Sequence, residues 1–148
     1  MSAPIKIALP GFGGRMGQMI FGLVQNESQF VITAATEADG SALIGEDISA
    51  GTVNQNTGVI ISASADILGV DTDVIIDFTR PEATIEHVKV ALETNTAMVI
   101  GTTGLNQSQE KQIAEAAMHI PIIYCANTSI GVTLLSQQVR QIASMLDD

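Results

Sequence analysis

The chain has 148 residues, of which 46% are apolar and only 3% aromatic, and its 16 acidic and 6 basic side chains give a net charge of −10. The length allows one domain with a hydrophobic core, and the negative charge disfavours nucleic acids and anionic membrane surfaces as partners. A single cysteine cannot form an internal disulfide, and no membrane-length apolar run or signal peptide is visible, so we expect a cytoplasmic protein.

The first predicted unit is a strand, a glycine-rich turn and a helix. The strand is predicted at Ile5–Pro10 and the helix at Arg15–Asn26, whose expected buried stripe consists of Met16, Met19, Ile20, Leu23 and Val24. The turn between them reads Gly11-Phe12-Gly13-Gly14-Arg15-Met16-Gly17.

This turn has the pattern of a dinucleotide-binding loop. Positive φ angles and space for a phosphate are expected at Gly11, Gly13 and Gly14, while Gly17 would let the helix approach the strand. The N–H groups at the helix N-terminus would then bind a pyrophosphate. The alternative is a tight strand-to-helix turn without a ligand.

The second predicted strand, Phe30–Thr36, is followed by an acidic residue. Glu37 lies twenty residues beyond Gly17, where a carboxylate can accept both hydroxyl hydrogens of an adenosine ribose. The alternative is a solvated acid in a turn. The long connection at residues 40–58 has a poor pattern, and such connections are often functional or mobile.

The rest of the chain alternates short strands with helices. Further strands are predicted at Val59–Ser62, Asp73–Phe78, Ala97–Ile100 and Pro121–Cys125. Further helical segments are predicted at Ser41–Gly45, at Ser64–Leu68, from Thr79–Glu82 onward, at Gln107–Met118 and across 132–146. Asn106 and Gln109 are spaced to form a capping box at the fourth of these segments.

Some polar residues are candidates for chemistry. Arg15 and Arg80 lie where a doubly wound sheet opens onto its ligand, or are ordinary surface arginines. His87 is interpreted as a surface residue and His119 as a helix cap. Cys125 could be a nucleophile, but no histidine is close in sequence, so a small buried residue is favoured.

The order of elements predicts an α/β fold, a Rossmann-type doubly wound parallel sheet of about six strands in the order 3-2-1-4-5-6. We expect one dinucleotide-binding domain at 1–130, with 131–148 forming a helix that would lead into a further domain. The turn 11–17, Arg80, Gly101–Thr103 and Asn127 would converge at the switch point between strands 1 and 4. The Cys and His residues show no metal-binding spacing.

With these residues in place, the sequence resembles the dihydrodipicolinate reductase family, which reduces a cyclic intermediate on the way to diaminopimelate and lysine. The resemblance covers the family's N-terminal domain, and it lies in the stretches Gly11–Gly17, Asp77-Phe78-Thr79-Arg80-Pro81-Glu82, Val99-Ile100-Gly101-Thr102-Thr103-Gly104 and Ala126-Asn127-Thr128-Ser129-Ile130-Gly131-Val132.

The resemblance implies a binding site for NADH or NADPH with no catalytic residue and no metal ligand in this chain. The implied cofactor-binding residues are Gly11, Phe12, Gly13, Gly14, Arg15, Met16, Gly17, Glu37, Phe78, Arg80, Gly101, Thr102, Thr103, Cys125, Ala126, Asn127 and Thr128. The first seven would hold the pyrophosphate, Glu37 the ribose, and the last seven the nicotinamide end, with Phe78 and Arg80 flanking the cofactor.

Two positions depart from the family pattern. Ala38 stands where many NADPH-using members have an arginine, which favours NADH, although Arg15 could compensate. Thr128 stands where some relatives have an aromatic residue. The family's second domain, which grips the substrate, supplies the proton and mediates homotetramer formation, has no counterpart here. We therefore expect cofactor binding with little or no turnover.

Two other functions are compatible with the sequence. The chain could be a free-standing NAD-binding or redox-sensing module. It could also belong to another Rossmann oxidoreductase, such as a semialdehyde dehydrogenase with Cys125 as the nucleophile.

Overall fold

The computed structural model describes residues 3–50 and 56–125, which form a single α/β domain around one five-stranded parallel sheet. Its strands are β1 (Ile5–Pro10), β2 (Phe30–Thr36), β3 (Val74–Asp77), β4 (Ala97–Ile100) and β5 (Ile122–Tyr124). Its α-helices are α1 (Arg15–Val24), α2 (Pro81–Thr94) and α3 (Gln107–Ala116), and a 3-10 helix covers Ala65–Gly69. No helix in these two ranges is long and apolar enough to cross a bilayer.

The strands lie in the order β2-β1-β3-β4-β5, and every neighbouring pair is parallel. The chain thus adds β2 on one side of β1 and then β3, β4 and β5 on the other side. The switch point lies between β1 and β3, which confirms the predicted doubly wound arrangement. At such a point the loops after the two strands diverge and leave a crevice.

The strand predicted at Val59–Ser62 is wrong, and the described sheet has five strands rather than six. Ser62 forms one parallel bridge with Thr36, while Ile60 forms an antiparallel bridge with Asp47. The backbone of Ile61 pairs with Gly45 and Glu46 instead of continuing along β2. The preceding loop therefore competes successfully for these backbone groups.

One carboxylate joins two described parts of the long connection before this segment. Asp47 accepts hydrogen bonds from the backbone and hydroxyl groups of Ser49 and Thr57 and from the backbone N–H of Gly58. These bonds keep the pKa of Asp47 well below its usual value, although desolvation acts in the opposite direction. The Asp47 carboxylate therefore links residues 47–49 to residues 57 and 58.

The sheet has a hydrophobic core on each face, as β3 illustrates. Ile75 packs in the core that also contains residues of α2 and α3, whereas Val74 and Ile76 pack against the core that contains Phe21 of α1. Because alternate side chains of a strand point to opposite faces, helices cover both sides of the sheet.

The predicted buried stripe of α1 is confirmed in part, because Ile20 and Val24 pack against the core and Met16 is half-buried. Met19 and Leu23 are 59% and 65% exposed, whereas Gly17 and Phe21 are buried. Phe21 packs edge-on against Phe12, with 5.3 Å between ring centroids. The inward face is therefore centred on a glycine and an aromatic residue four positions apart, which a count of aliphatic residues does not detect.

Other boundaries differ by a few residues. The helix predicted to end at Asn26 ends at Val24, the one predicted to end at Met118 ends at Ala116, and the predicted capping box at Asn106 is confirmed. The segment predicted at Ser64–Leu68 is the 3-10 helix, capped by the Ser64 side chain. The helix predicted across 132–146 lies outside the described residues.

Candidate functional site

A cleft of about 460 Å³ opens at the carboxyl ends of β1, β2 and β3, at the switch point of the sheet. It is lined on one side by the glycine turn and the end of β2, and on the other by the turn after β3 and the first half of α2. Its lining residues are Gly11, Gly14, Thr36, Glu37, Ala38, Asp39, Ala63, Ala65, Phe78, Thr79, Arg80, Ala83, Glu86 and His87.

The glycine turn is shaped by one left-handed residue. Gly11 has a φ of 65°, a value that favours glycine, whereas Gly14 is extended with a φ of −70°. The positive φ angles predicted for Gly13 and Gly14 are therefore wrong. The turn is instead closed by a hydrogen bond from Gly14 N to Gly11 O and tied to β2 by one from Phe12 N to Thr36 O.

Gly13 and Gly14 are small because protein atoms lie close to them. A Cβ on Gly13 would lie 2.5 Å from Leu43 Cδ1 and 3.0 Å from Glu37 Oε1, and one on Gly14 would lie 3.1 Å from Gly11 O. The space that we expected for a phosphate at these two glycines is therefore partly occupied by other atoms of the protein.

The N-terminus of α1 contacts the turn closely and offers unpaired amides. A Cβ on Gly17 would lie 2.5 Å from Phe12 O and 2.7 Å from Gly11 O, so only glycine lets the helix pack here. Gly14 is the N-cap and supplies no side-chain acceptor. The first N–H groups of α1 therefore remain for solvent or an anionic ligand.

Glu37 is half-buried at the end of β2 and contacts the glycine turn directly. Its Oε1 atom accepts a hydrogen bond from Gly13 N and its Oε2 atom accepts one from Ala38 N, at 2.5 and 3.2 Å. The acidic residue predicted from spacing alone is therefore joined to the turn with which it was expected to act.

The opposite wall carries an aromatic ring against a glycine. A Cβ on Gly101 would lie 2.0 Å from Phe78 Cε1, so the ring occupies the space that any other residue would need. Phe78 lines the cleft together with the exposed Arg80. The sequence-predicted residues that the cleft brings together are therefore Gly11, Gly14, Glu37, Phe78 and Arg80.

The other predicted residues within the described ranges are not part of the cleft lining. Phe12 is buried in the core behind the turn, while Arg15 is exposed at the start of α1. The Thr102 side chain is buried, while Thr103 is exposed. The remaining predicted positions Ala126, Asn127 and Thr128 lie outside the described residues.

The interpretation of Cys125 as a buried residue is wrong, because the structure places it in an exposed position. Its backbone N–H donates to Ile100 O at the end of β4, at 2.9 Å. The residue therefore lies at the same edge of the sheet as the cleft. Within residues 3–50 and 56–125, no three His, Cys, Asp or Glu side chains could hold a metal ion together.

The interpretation of His87 as a surface residue is also wrong, and it conceals a pair that sequence reasoning missed. His87 is only 6% exposed, lines the cleft, and places Nδ1 2.7 Å from Oδ2 of the fully buried Asp77. Burial raises the pKa of Asp77, but the bond and charge of His87 and the bonds from Thr79 outweigh it and keep that pKa below its usual value.

A signal for this pair is present in the sequence. Thr84, His87, Val88 and Ala91 follow a helical spacing of three and four residues, so one buried face of α2 includes the histidine. An acidic residue at the end of a strand buried on both faces, such as Asp77, also requires a partner. The buried histidine and the buried carboxylate become partners only when α2 packs on β3.

Comparison with known proteins gives consistent results. Residues 5–128 match the family described as "Dihydrodipicolinate reductase, N-terminus". A 4-hydroxy-tetrahydrodipicolinate reductase of Acinetobacter baumannii is 42% identical over 149 residues, covering 100% of this chain and 54% of the relative. Another, from Paraburkholderia phymatum, is 38% identical over 130 residues, with 88% and 49% covered.

A solved structure shares the same fold. Dipicolinate-bound dihydrodipicolinate reductase from Paenisporosarcina sp. TG-14 aligns with a TM-score of 0.68 and 29% identity, covering 88% of this chain and 50% of that one. The chain thus spans about half the length of the curated relatives it matches.

Proposed function

This chain belongs to the dihydrodipicolinate reductase family, and on that premise we propose that it forms the nucleotide-binding half of a reductase. The proposed reaction transfers hydride from NADH or NADPH to a cyclic dicarboxylate on the way to diaminopimelate and lysine. The observation that carries the proposal is the contact between Glu37 and the glycine turn at the switch point of the sheet.

The residues around the cleft fit a dinucleotide. The uncapped start of α1 would bind the pyrophosphate through its N–H groups, because a helix N-terminus favours anions. Glu37 would accept the ribose hydroxyl hydrogens, and Phe78 and Arg80 would flank the cofactor. The cleft volume of about 460 Å³ lies within the usual range for small-molecule sites.

The nicotinamide end is assigned by family resemblance. Gly101, Thr102 and Thr103 would lie along it, and residues 125–128 would reach its carboxamide. The bound dihydronicotinamide would supply the hydride. The residues of this chain would orient that ring, while the substrate grip and the proton would come from the other half of the full-length protein.

The charges around the cleft favour NADH over NADPH. Among the described lining residues, Glu37, Asp39 and Glu86 are acidic, and Arg80 is the one arginine. A 2′-phosphate bound near Glu37 would add two negative charges to this end of the cleft, and Ala38 offers no cation to neutralise them. Counted from Ala38, the arginine nearest in sequence is Arg15, which is not part of the cleft lining.

A calorimetric titration with NADH and NADPH tests the proposal. We expect NADH to bind roughly tenfold more tightly than NADPH, and Gly13→Asp to abolish binding, since its side chain would enter the space of Leu43 beside the Glu37 carboxylate. Gly22→Asp is the matched control, because nothing lies within 4 Å of a Cβ there. A folded wild-type chain that binds neither nucleotide would refute the proposal.

A second arm of the titration tests cofactor preference. Ala38→Arg should strengthen NADPH binding by about tenfold, because a guanidinium can form a bidentate bond with a phosphate. Ala38→Gln has a similar length without the charge and should leave the preference unchanged. Equal effects of the two variants would contradict the electrostatic explanation.

A further inference from the structure

A buried hydrogen-bond network lies beneath the cleft and joins two of its surrounding turns. Oδ1 of Asp77 accepts hydrogen bonds from Thr79 N, Thr79 Oγ1 and Thr102 Oγ1, at 2.9, 2.6 and 3.2 Å. Thr79 belongs to the turn after β3, and Thr102 to the turn after β4. One carboxylate oxygen therefore holds both turns.

Thr84 of α2 completes the network from the other side. Its hydroxyl donates to Thr102 Oγ1 at 2.8 Å, and Thr102 Oγ1 also accepts a hydrogen bond from Thr79 N at 3.1 Å. Asp77 and Thr84 are both 0% exposed. Neither side chain can therefore touch a ligand in the cleft. An effect of Thr84 on binding must pass through Thr79 or Thr102, and an effect of Asp77 through these residues or through His87.

Thr79 connects the network to the glycine turn. Its Cγ2 atom would lie 2.9 Å from a Cβ placed on Gly11, so the methyl group packs directly against that glycine. The threonine side chain has few χ1 rotamers, and bonds to both its N–H and its hydroxyl fix which way the methyl group points. The glycine turn and the turn after β3 are thus in direct contact at this point.

We propose that Asp77 and Thr84 are positioning residues that set the width of the cleft by holding the Thr79 methyl group against Gly11. The proposal rests on the proposed function, because it assigns the network a role in dinucleotide affinity. The buried geometry supports it, since hydrogen bonds to a buried carboxylate are shorter and stronger than neutral ones in water. His87 acts through Asp77 by holding its second oxygen.

The test compares Thr84→Val with Thr84→Ser in the 148-residue chain. Valine keeps the shape but removes the hydroxyl, and should weaken NADH binding about fivefold, the equivalent of one net hydrogen bond. Serine keeps the hydroxyl and should bind NADH within about twofold of the wild type. Asp77→Asn should weaken binding at least as much as Thr84→Val does.

A control separates positioning from a general loss of stability. Ile113→Val lies in the same core as Ile75 but away from the cleft, and should lower the melting temperature without changing NADH affinity. If Ile113→Val weakens binding as much as Thr84→Val at a similar melting temperature, the positioning role is wrong.

A ligand-free measurement distinguishes this proposal from the proposed function. Hydrogen exchange at the Thr79 amide should be faster in Thr84→Val and Asp77→Asn than in the wild type and Thr84→Ser. Thr84→Val removes the hydroxyl that holds Thr102 Oγ1, one acceptor of this amide, and Asp77→Asn replaces its charged acceptor with a weaker neutral one. Unchanged exchange would overturn the positioning role even if NADH binds. If the wild type binds NADH and all variants bind it with the same affinity, the positioning role is overturned while the proposed function remains intact.

Discussion

Gly17 and Gly22 lie on the same helix but in opposite surroundings, which gives a prediction at the scale of single residues. A Cβ on Gly17 would lie 2.5 Å from a backbone oxygen, whereas one on Gly22 would have nothing within 4 Å. We expect Gly17→Ala to lower the free energy of unfolding by about 1–3 kcal/mol through overpacking. Gly22→Ala should raise it by about 0.5–1 kcal/mol, because alanine is the better helix former.

Urea denaturation of the two variants beside the wild type measures both changes. Gly22→Ala also serves as the control, since the two substitutions add the same methyl group to the same helix. Equal free energies of unfolding for the two variants would show that the contact between α1 and the glycine turn is not tight.

At this scale the sequence predicts the conformation of residues that depend only on their neighbours in the chain. The positive φ of Gly11 and the close approach at Gly17 follow from a turn and a helix that are adjacent in the chain. The burial of His87 does not, because it depends on Asp77, which lies ten residues away on another element. The exposure of Cys125 likewise depends on where β5 lies in the sheet.

The capping box of α3 gives a prediction at the scale of elements. Asn106 Oδ1 accepts from Gln109 N, and Gln109 Oε1 accepts from Asn106 N, at 3.0 and 2.9 Å. Asn106→Ala removes the cap and should cost about 1 kcal/mol of stability. Asn106→Asp keeps an acceptor near the positive end of the helix dipole and should cost almost nothing.

Thermal unfolding of both variants measures this difference. If the cap stabilises the protein, the melting temperature falls for Asn106→Ala and not for Asn106→Asp. The same element shows why some boundaries are predictable. A cap is specified by residues three apart in sequence, so the start of α3 is confirmed at Gln107.

The elements that were mispredicted are those decided by packing. In α1, Phe21 packs against Phe12, a contact that the helical pattern alone does not reveal, while Met19 of the predicted stripe is exposed. The segment 59–62 has strand-like residues, but its backbone is shared between β2 and the loop at 45–48. Neither the burial of Phe21 nor the pairing of segment 59–62 can be predicted from the residues of that helix or segment alone.

At the scale of the whole molecule, topology and family were the most predictable properties. Alternating strands and helices with right-handed crossovers leave few arrangements, and the observed order follows the predicted one apart from the missing strand. The family assignment from the sequence is confirmed by the match over residues 5–128. The individual cofactor contacts stay predictions.

The share of the relatives that this chain covers leads to a prediction about activity. Because it spans 54% of a curated reductase, we expect the 148 residues to bind NADH but to oxidise it with the cyclic substrate at a negligible rate. Absorbance at the nicotinamide band would measure this, with a full-length relative as the positive control. A rate comparable to that control would contradict the proposed division of roles.

The contact between Phe78 and Gly101 also restricts how this domain can change over evolutionary time. A ring carbon lies 2.0 Å from the place of the missing Cβ, so any side chain at position 101 requires a smaller or displaced group at position 78. The two substitutions would have to arise together or through a less stable intermediate. We therefore expect these positions on neighbouring strand ends to change together, although twenty-two residues separate them in the chain.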